Sequence, residues 1–451
     1  MKMPVSRVCS EHKVHVNILG DLNIAIDVTE NRYNIPLDNL FGIAARKNPK
    51  RSFLFVSKLL GKHIPVYPQI PRISGALLAD MFLCEIEGKK AFNSSLLVSA
   101  LADQKFIPGA LEEIEGAAPL LSKPTLFIGF AETATGLGHA MYEAFAGNAG
   151  FVHTTRDSIV ELQSCFAFEE EHSHATSHRC YVPNDSFFDK FDRIVLVDDE
   201  ITTGKTCLNF IKVLKDKYPG KEYIITSILD WRDSFAISKY EELNIKTLAL
   251  LRGQICCNNV PVKVPGVVTP KNEGEFVKVD NVNLTSENKK LFTLESSQGM
   301  QSLVSYSEMT GRFGITSEEN RQVKEETLKY AQMLSKKRIY DQSLCMGLGE
   351  FIYLPSLIAS GMGEGIMYQS TTRSPIHSLS QRGYPVKNVI WCASPEDPAI
   401  TNYIYNVVPG QYREVFVFSE REMGQQCKNH MAKELSKVGI KHLVFVAITS
   451  A

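Results

Sequence analysis

The stretch RIVLVDDEITTGKT, Arg193 to Thr206, decides how the rest of the chain is read. Its ending, Gly204-Lys205-Thr206, invites a phosphate loop for a nucleoside triphosphate. Such a loop needs a glycine five positions before its second glycine, so that backbone N–H groups can curl around the phosphates. Here that position is Asp199, whose charge would oppose the phosphates. The triphosphate reading is rejected. What remains is an apolar strand, a pair of acids and a short Thr/Gly turn leading into a helix. The strand end puts Asp198 and Asp199 at the carboxyl edge of a sheet, where open α/β sheets bind ligands. Two adjacent carboxylates there suit the vicinal hydroxyls of a ribose. The turn offers backbone N–H groups, the hydroxyls of Thr202, Thr203 and Thr206, and a helix N-terminus, all suited to a phosphate monoester. Gly204 lets that turn take a positive φ.

The surroundings read as an α/β fold. From about residue 124, TLFIGF, RIVLV, EYIITSIL and KTLALL are continuous apolar runs, as parallel strands covered on both faces require. Helical patterns such as TCLNFIKVLKDKY alternate with them, the mark of a doubly wound sheet. A second α/β region follows, with SLCMGL, NVIWCA, EVFVFS and HLVFVAI as strands and EENRQVKEETLKYAQMLSKK as a helix. The expected divisions are 1–115 as an N-terminal segment, 116–260 as the core, 261–320 as a linker with short strands, and 321–451 as a second domain.

At 451 residues, 44% hydrophobic and 22% charged, the chain has ample material for two or three domains. A net charge of -1 steers it toward neither nucleic acid nor an anionic membrane, so nucleic-acid binding is not expected and any anion site is local. No run of eighteen apolar residues and no signal-peptide apolar region occur. The ten cysteines contain no CxxC and read as reduced thiols, which with the lack of a membrane span gives a cytoplasmic expectation. The basic stretch with Arg46, Lys47, Lys50, Arg51, Lys58 and Lys62 reads equally as a solvated edge.

An internal repeat is also legible. From Gly129 in LFIGFAE, Arg156 of HTTR lies 27 residues on; from Gly347 in LCMGLGE, Arg373 of STTR lies 26 residues on. A further 42 residues bring Asp198 in the first half, and 46 bring Ser419 in the second. If the repeat is real, the second copy has lost the acid pair.

Ile194 to Thr206 resembles, without a gap, the phosphoribosyl-pyrophosphate motif of the type I phosphoribosyltransferases. The resemblance implies a hood-like N-terminal segment and a pyrophosphate loop after the first core strand. IGFAETATGLGHA stands there, with Glu132, Thr133, Thr135 and Gly136 as candidates. It also makes Thr155 and Arg156 a pyrophosphate clamp, although Arg156 equally suits a surface salt bridge. A flexible catalytic loop is implied at FEEEHSHATSHRCY, with His172 and His174 as candidates; a solvated loop or a metal pair are the other readings. Asp230, Trp231 and Arg232 stand where the family receives its acceptor, Trp231 fitting a core position nearly as well.

The combination of NPKRSFLFVSKLLGKHIPV, GFAETATGLG, HTTR, EEEHSHAT and VDDEITTGKT narrows the resemblance. It looks like the phosphoribosyltransferases of tellurite-resistance-type stress gene clusters, which carry a second domain named for T-R-S-P. Thr372, Arg373, Ser374 and Pro375 supply that tetrapeptide, and Thr371 precedes it; Thr371 to Ser374 are a candidate site of that domain. Implied are transfer of 5-phosphoribosyl from phosphoribosyl pyrophosphate to a small nitrogenous acceptor, in the making of a nucleoside-like metabolite, and Mg2+ at Asp198 and Asp199. Thr202, Thr203, Gly204, Lys205 and Thr206 would hold the 5-phosphate. A phosphoribosyl-pyrophosphate sensor without activity and a phosphoribohydrolase are the alternatives, and a homodimer is left open.

Overall fold

The structure, a computed structural model, describes residues 5–9, 13–18, 20–46, 51–169, 177–184, 186–258, 260, 277–285, 289–395, 397 and 399–449. Lys47, Lys50, His172 and His174 lie outside the described residues.

Five apolar runs form the parallel centre of a nine-stranded sheet. In spatial order they are Ile245–Cys257, Glu222–Asp230, Arg193–Ile201, Leu120–Gly129 and Gly147–His153. Antiparallel Leu22–Asn31, Lys13–Ile18 and Val5–Cys9 extend the first edge, and Ile315–Thr316 caps the other. Each central strand carries a continuous apolar run where apolar side chains cover both faces of the sheet. Phe127, Val195, Val197 and Ile224 join one core, and Leu126, Ile128, Ile194 and Leu196 the other.

The chain runs from Leu120–Gly129 outward to Gly147–His153, then crosses back to Arg193–Ile201 on the opposite side. This reversal opens a crevice between Leu120–Gly129 and Arg193–Ile201, at the strands' carboxyl ends. Their pairing ends at Val197 opposite Gly129, so Asp198 and the residues after it run on past their neighbour.

A second, five-stranded sheet is wholly parallel, in the order Lys278–Asn283, His442–Thr449, Glu414–Arg421, Ser343–Gly347, Ile366–Ser370. NVIWCA is a strand, Val389–Ala393, but it pairs with Thr401–Tyr405 in a separate antiparallel hairpin. Its place in the sheet is taken by Ile366–Ser370 and by Lys278–Asn283, the latter from the polar stretch before the second region.

Residues spaced alike in the two halves make the same bonds. Thr154 N–H donates to Gly129 O and Thr371 N–H to Gly347 O, both at 2.9 Å. The Thr154 hydroxyl accepts from Ala131 N–H at 2.8 Å, and the Thr371 hydroxyl from Gly349 N–H at 3.0 Å. Phe130 N–H reaches Val197 O at 3.2 Å, and Leu348 N–H reaches Phe418 O at 3.1 Å. By these bonds Asp198 and Asp199 correspond to Ser419 and Glu420. No helix among the described residues is long and apolar enough to cross a membrane.

Candidate active site

A cleft of about 250 Å³ occupies the crevice. Its floor is the strand end and turn from Asp198 to Gly204, with Thr206 and Cys207. Arg193 to Val197 are buried, whereas Asp198, Asp199 and Glu200 are half-buried and open to the cleft. Asp198 Oδ1 accepts from the Asp199 N–H at 2.9 Å, which fixes one carboxylate against the backbone of the next.

Gly204 caps the helix Lys205–Lys217 with φ at 72°, so the turn passes through the left-handed region before the first N–H groups of the helix. The hydroxyl of Tyr240 donates to the Gly204 carbonyl, holding the turn from beneath. Thr202, Thr203 and Thr206 line the cleft; Lys205 is exposed and does not.

The loop after Leu120–Gly129 forms one wall through Phe130 to Thr133, and the Ala131–Glu132 peptide is cis. Glu132 is buried beneath this wall. Burial alone would raise its carboxyl, but Lys62, Arg156 and Arg373 outweigh that and hold it below the usual carboxylate range. Lys62 Nζ lies 3.3 Å from Glu132 Oε2 and donates to Thr133 Oγ1 at 2.5 Å. Arg156 also lines the cleft, and its backbone N–H donates to Glu350 Oε1 at 2.8 Å. His178 completes this side, its ring Nδ1 3.3 Å from Thr154 Oγ1.

Thr155, Thr135 and Gly136 do not line the cleft. The Thr155 hydroxyl donates to Glu350 Oε2 at 2.6 Å, and the Thr135 hydroxyl contacts the carbonyls of Glu132 at 2.9 Å and Glu350 at 3.2 Å. A Cβ at Gly136 would stand 2.7 Å from Ile352 Cγ2, so this glycine lets the second domain approach.

Nor does the cleft lining include Asp230, Trp231 or Arg232, all three buried. Arg232 grips Asp230 through two bonds, at 2.8 and 2.6 Å, and lies over the Tyr240 ring at 4.3 Å. That packing supports the Gly204 turn. Trp231 stacks on Phe55, centroids 4.7 Å apart, and thereby anchors the hairpin Phe41–Ala45/Phe53–Ser57 to the core.

That hairpin brings in residues the motif reading left out. Arg46, Arg51 and Leu54 come from it and Lys62 from just beyond. Arg51 Nη2 bonds Glu200 Oε1 at 2.6 Å. Burial pushes the Glu200 carboxyl above its ordinary value, and Arg51 offsets only part of this. The signal available in the sequence was the cluster of cations at 46–62, which composition alone could not separate from a solvated edge. Ser374 of the T-R-S-P tetrapeptide is also part of the lining; Thr371 and Thr372 are fully buried beside it.

Among the described residues no group of three or more His, Cys, Asp and Glu side chains forms a metal cage. The donor set present, Asp198 and Asp199 at the floor of a cleft suited to phosphates, nevertheless fits magnesium. That ion uses one or two carboxylates and takes its other oxygens from substrate and water.

Comparison with known proteins assigns the class. Residues 40–254 match the model of a phosphoribosyl transferase family, and residues 309–435 match the TRSP domain that lies C-terminal to it. The chain belongs to this phosphoribosyltransferase family, in the form that carries a TRSP domain. Similar solved structures include adenine phosphoribosyltransferase from Thermoanaerobacter pseudethanolicus, at 15% identity over 35% of this chain and 86% of that one, TM-score 0.23. The Giardia lamblia enzyme complexed with 9-deazaadenine shows 17% identity over 34% and 84%, TM-score 0.22. Orotate phosphoribosyltransferase from Aeropyrum pernix shows 15% over 33% and 73%, TM-score 0.20. A search of curated proteins found no match.

Proposed function

We propose that the protein transfers 5-phosphoribosyl from phosphoribosyl pyrophosphate to a nitrogenous acceptor and releases pyrophosphate, as a step toward a nucleoside-like metabolite. The observation that carries this reading is one juxtaposition. Asp198 and Asp199 stand at the crevice, the Thr202–Thr206 turn caps a helix beside them, and Lys62 and Arg156 face them across the same cleft.

Each part has a chemical task. The turn and helix N-terminus receive the 5-phosphate dianion. Asp198 and Asp199 accept hydrogen bonds from the ribose hydroxyls and would hold Mg2+, which supplies charge neutralisation for the diphosphate. The bond from C1 of the ribose to the diphosphate oxygen breaks, and the oxygen keeps the electron pair. Arg156 and Lys62 stabilise the charge that then grows on the leaving group. The acceptor nitrogen forms the new bond to C1 and gives up its proton.

Pyrophosphate release from labelled phosphoribosyl pyrophosphate, with Mg2+ and a metabolite extract, tests the reading. Mass spectrometry of the product shows whether nitrogen or water ends at C1. The double variant Asp198→Asn/Asp199→Asn is expected to fold and to lose turnover. Full activity in that variant sinks the mechanism.

A further inference from the structure

Each domain lends the other a carboxylate, and the exchange is reciprocal. Glu132 and Glu350 occupy corresponding positions, three residues after Gly129 and Gly347. Thr155 and Thr372 likewise correspond. The Thr372 hydroxyl donates to Glu132 Oε2 at 3.2 Å, and the Thr155 hydroxyl donates to Glu350 Oε2 at 2.6 Å. The two domains therefore meet as a pseudo-twofold pair within one chain.

Their crevices differ. In the first, the acid pair opens into the cleft. In the second, Glu420 is held by two bonds from Arg312 Nη1, at 2.9 and 2.7 Å, and by the Ser307 N–H at 2.8 Å. Arg312 and Glu420 are both nearly fully buried. Beside them Arg421 pairs with Asp157 at 3.2 Å, and Tyr306 donates to the same carboxylate at 3.0 Å. Emptying this crevice for an anionic ligand would strand Glu420 and Asp157 as buried charges, a costly state.

The T-R-S-P residues face the other way, toward the first crevice. Ser374 lines that cleft, and its N–H donates to the Thr372 hydroxyl at 3.1 Å, the same hydroxyl that donates to Glu132. Arg373 is among the charges that hold Glu132 ionised. Glu350 takes the Thr155 hydroxyl and the Arg156 N–H together, which sets where Arg156 enters the cleft.

We propose that the T-R-S-P tetrapeptide is a wall of the first domain's cleft and not a site of its own domain: Ser374 contacts the diphosphate end of the ligand, while Thr372 and Glu350 are positioning residues, Thr372 fixing the Glu132 that holds Lys62 and Glu350 fixing Arg156, so that the two cations meet the diphosphate. This rests on the phosphoribosyl-pyrophosphate reading above and adds which part of the chain recognises the diphosphate.

Calorimetric titration of the full chain, in Mg2+, with inorganic pyrophosphate and separately with ribose 5-phosphate tests it. The wild type is expected to bind one pyrophosphate per chain. Ser374→Ala is expected to weaken pyrophosphate binding by about tenfold or more, as loss of hydrogen bonding at an ionised ligand does, and Thr372→Val to weaken it in the same direction by releasing Glu132. Both should leave ribose 5-phosphate affinity unchanged, because Thr202–Thr206 lie elsewhere in the cleft. Thr372→Ser, which keeps the hydroxyl, should restore wild-type binding. Ser374 sits at the surface of the cleft, so its variant tests the idea even if Thr372→Val does not fold. Wild-type affinity for pyrophosphate in Ser374→Ala, equal losses for both ligands, or two pyrophosphates per wild-type chain would overturn the proposal while the phosphoribosyl reading stands. A wild type that binds neither ligand overturns both.

Discussion

Tyr240 and Gly204 are bound to one another, the tyrosine hydroxyl donating to the glycine carbonyl beneath the turn. A Cβ at position 204 would stand 2.6 Å from that hydroxyl and 2.7 Å from Arg232 Cδ, and φ there is 72°. Gly204→Ala therefore meets both a left-handed backbone, about 1–2 kcal/mol, and a clash with side chains that Asp230 and Tyr240 pin in place. The expected outcome is a lower thermal midpoint together with weakened ribose 5-phosphate binding. Unchanged binding in calorimetry would show that the turn is not the phosphate seat.

Trp231 is the anchor of the cationic hairpin. Its ring stacks on Phe55 and meets Phe41 edge-on at 6.0 Å. Trp231→Ala should cost about 3–5 kcal/mol in denaturant unfolding. Trp231→Phe should cost less and preserve the position of Arg51. With Trp391 exposed at 54%, emission of the Trp391→Phe variant is expected to be that of a buried indole alone.

Arg51 carries a pH signature. Glu200 already lies above its ordinary pKa through burial, and Arg51 restrains that rise. In Arg51→Met the carboxyl climbs further. A raised carboxyl favours the folded state below its unfolded pKa and loses that contribution as pH rises through the folded value. The variant's deficit in thermal midpoint relative to wild type is therefore expected to be greater at pH 8 than at pH 5. A deficit independent of pH would remove Glu200 as its cause.

His139 works with the opposite sign. Burial lowers it to about 4, despite the Asn320 amide oxygen 3.0 Å from Nε2, and its ring stacks on Tyr353 of the second domain at 4.3 Å. A depressed histidine supports the fold above its unfolded pKa, about 6.5, and that support is lost as pH falls toward the folded value. Thermal midpoints measured from pH 7 down to 4.5 should fall, and His139→Gln should flatten part of that slope. An unaltered slope in the variant would assign the acid sensitivity elsewhere.

How much of the site was legible follows from separation along the chain. The floor of the cleft comes from one run, Asp198 to Cys207, from which only Lys205 stands away, and most of its members carry a polar side chain or a glycine turn suited to its place. Strand end, turn and helix start are local events, so their chemistry survives as a pattern. Lys62 meets Glu132 across 70 positions and Thr372 meets Glu132 across 240. No local pattern encodes such pairings, and a lysine in a basic run looks the same solvated or clamped.

Asp230, Trp231 and Arg232 show the converse. The resemblance sets them where the family receives its acceptor, with a core place fitting Trp231 nearly as well, and position along the chain does not say which way a side chain packs. Packing turns Trp231 onto Phe55 and Arg232 onto Tyr240: the large aromatic gains from burial, and the guanidinium is accommodated there because Asp230 pairs with it through two bonds that offset its desolvation.

The sequence by itself determined the sheet's apolar strands, the acid pair, the glycine turn and the family, since each rests on contiguous residues. Tertiary structure alone decided that Arg46, Arg51, Lys62 and Ser374 share one cleft, and that the second crevice is filled by Arg312 and Glu420. The physical reason is that burial couples charges over distance in space: whether an arginine binds a ligand or closes a cavity depends on which carboxylate the fold sets beside it.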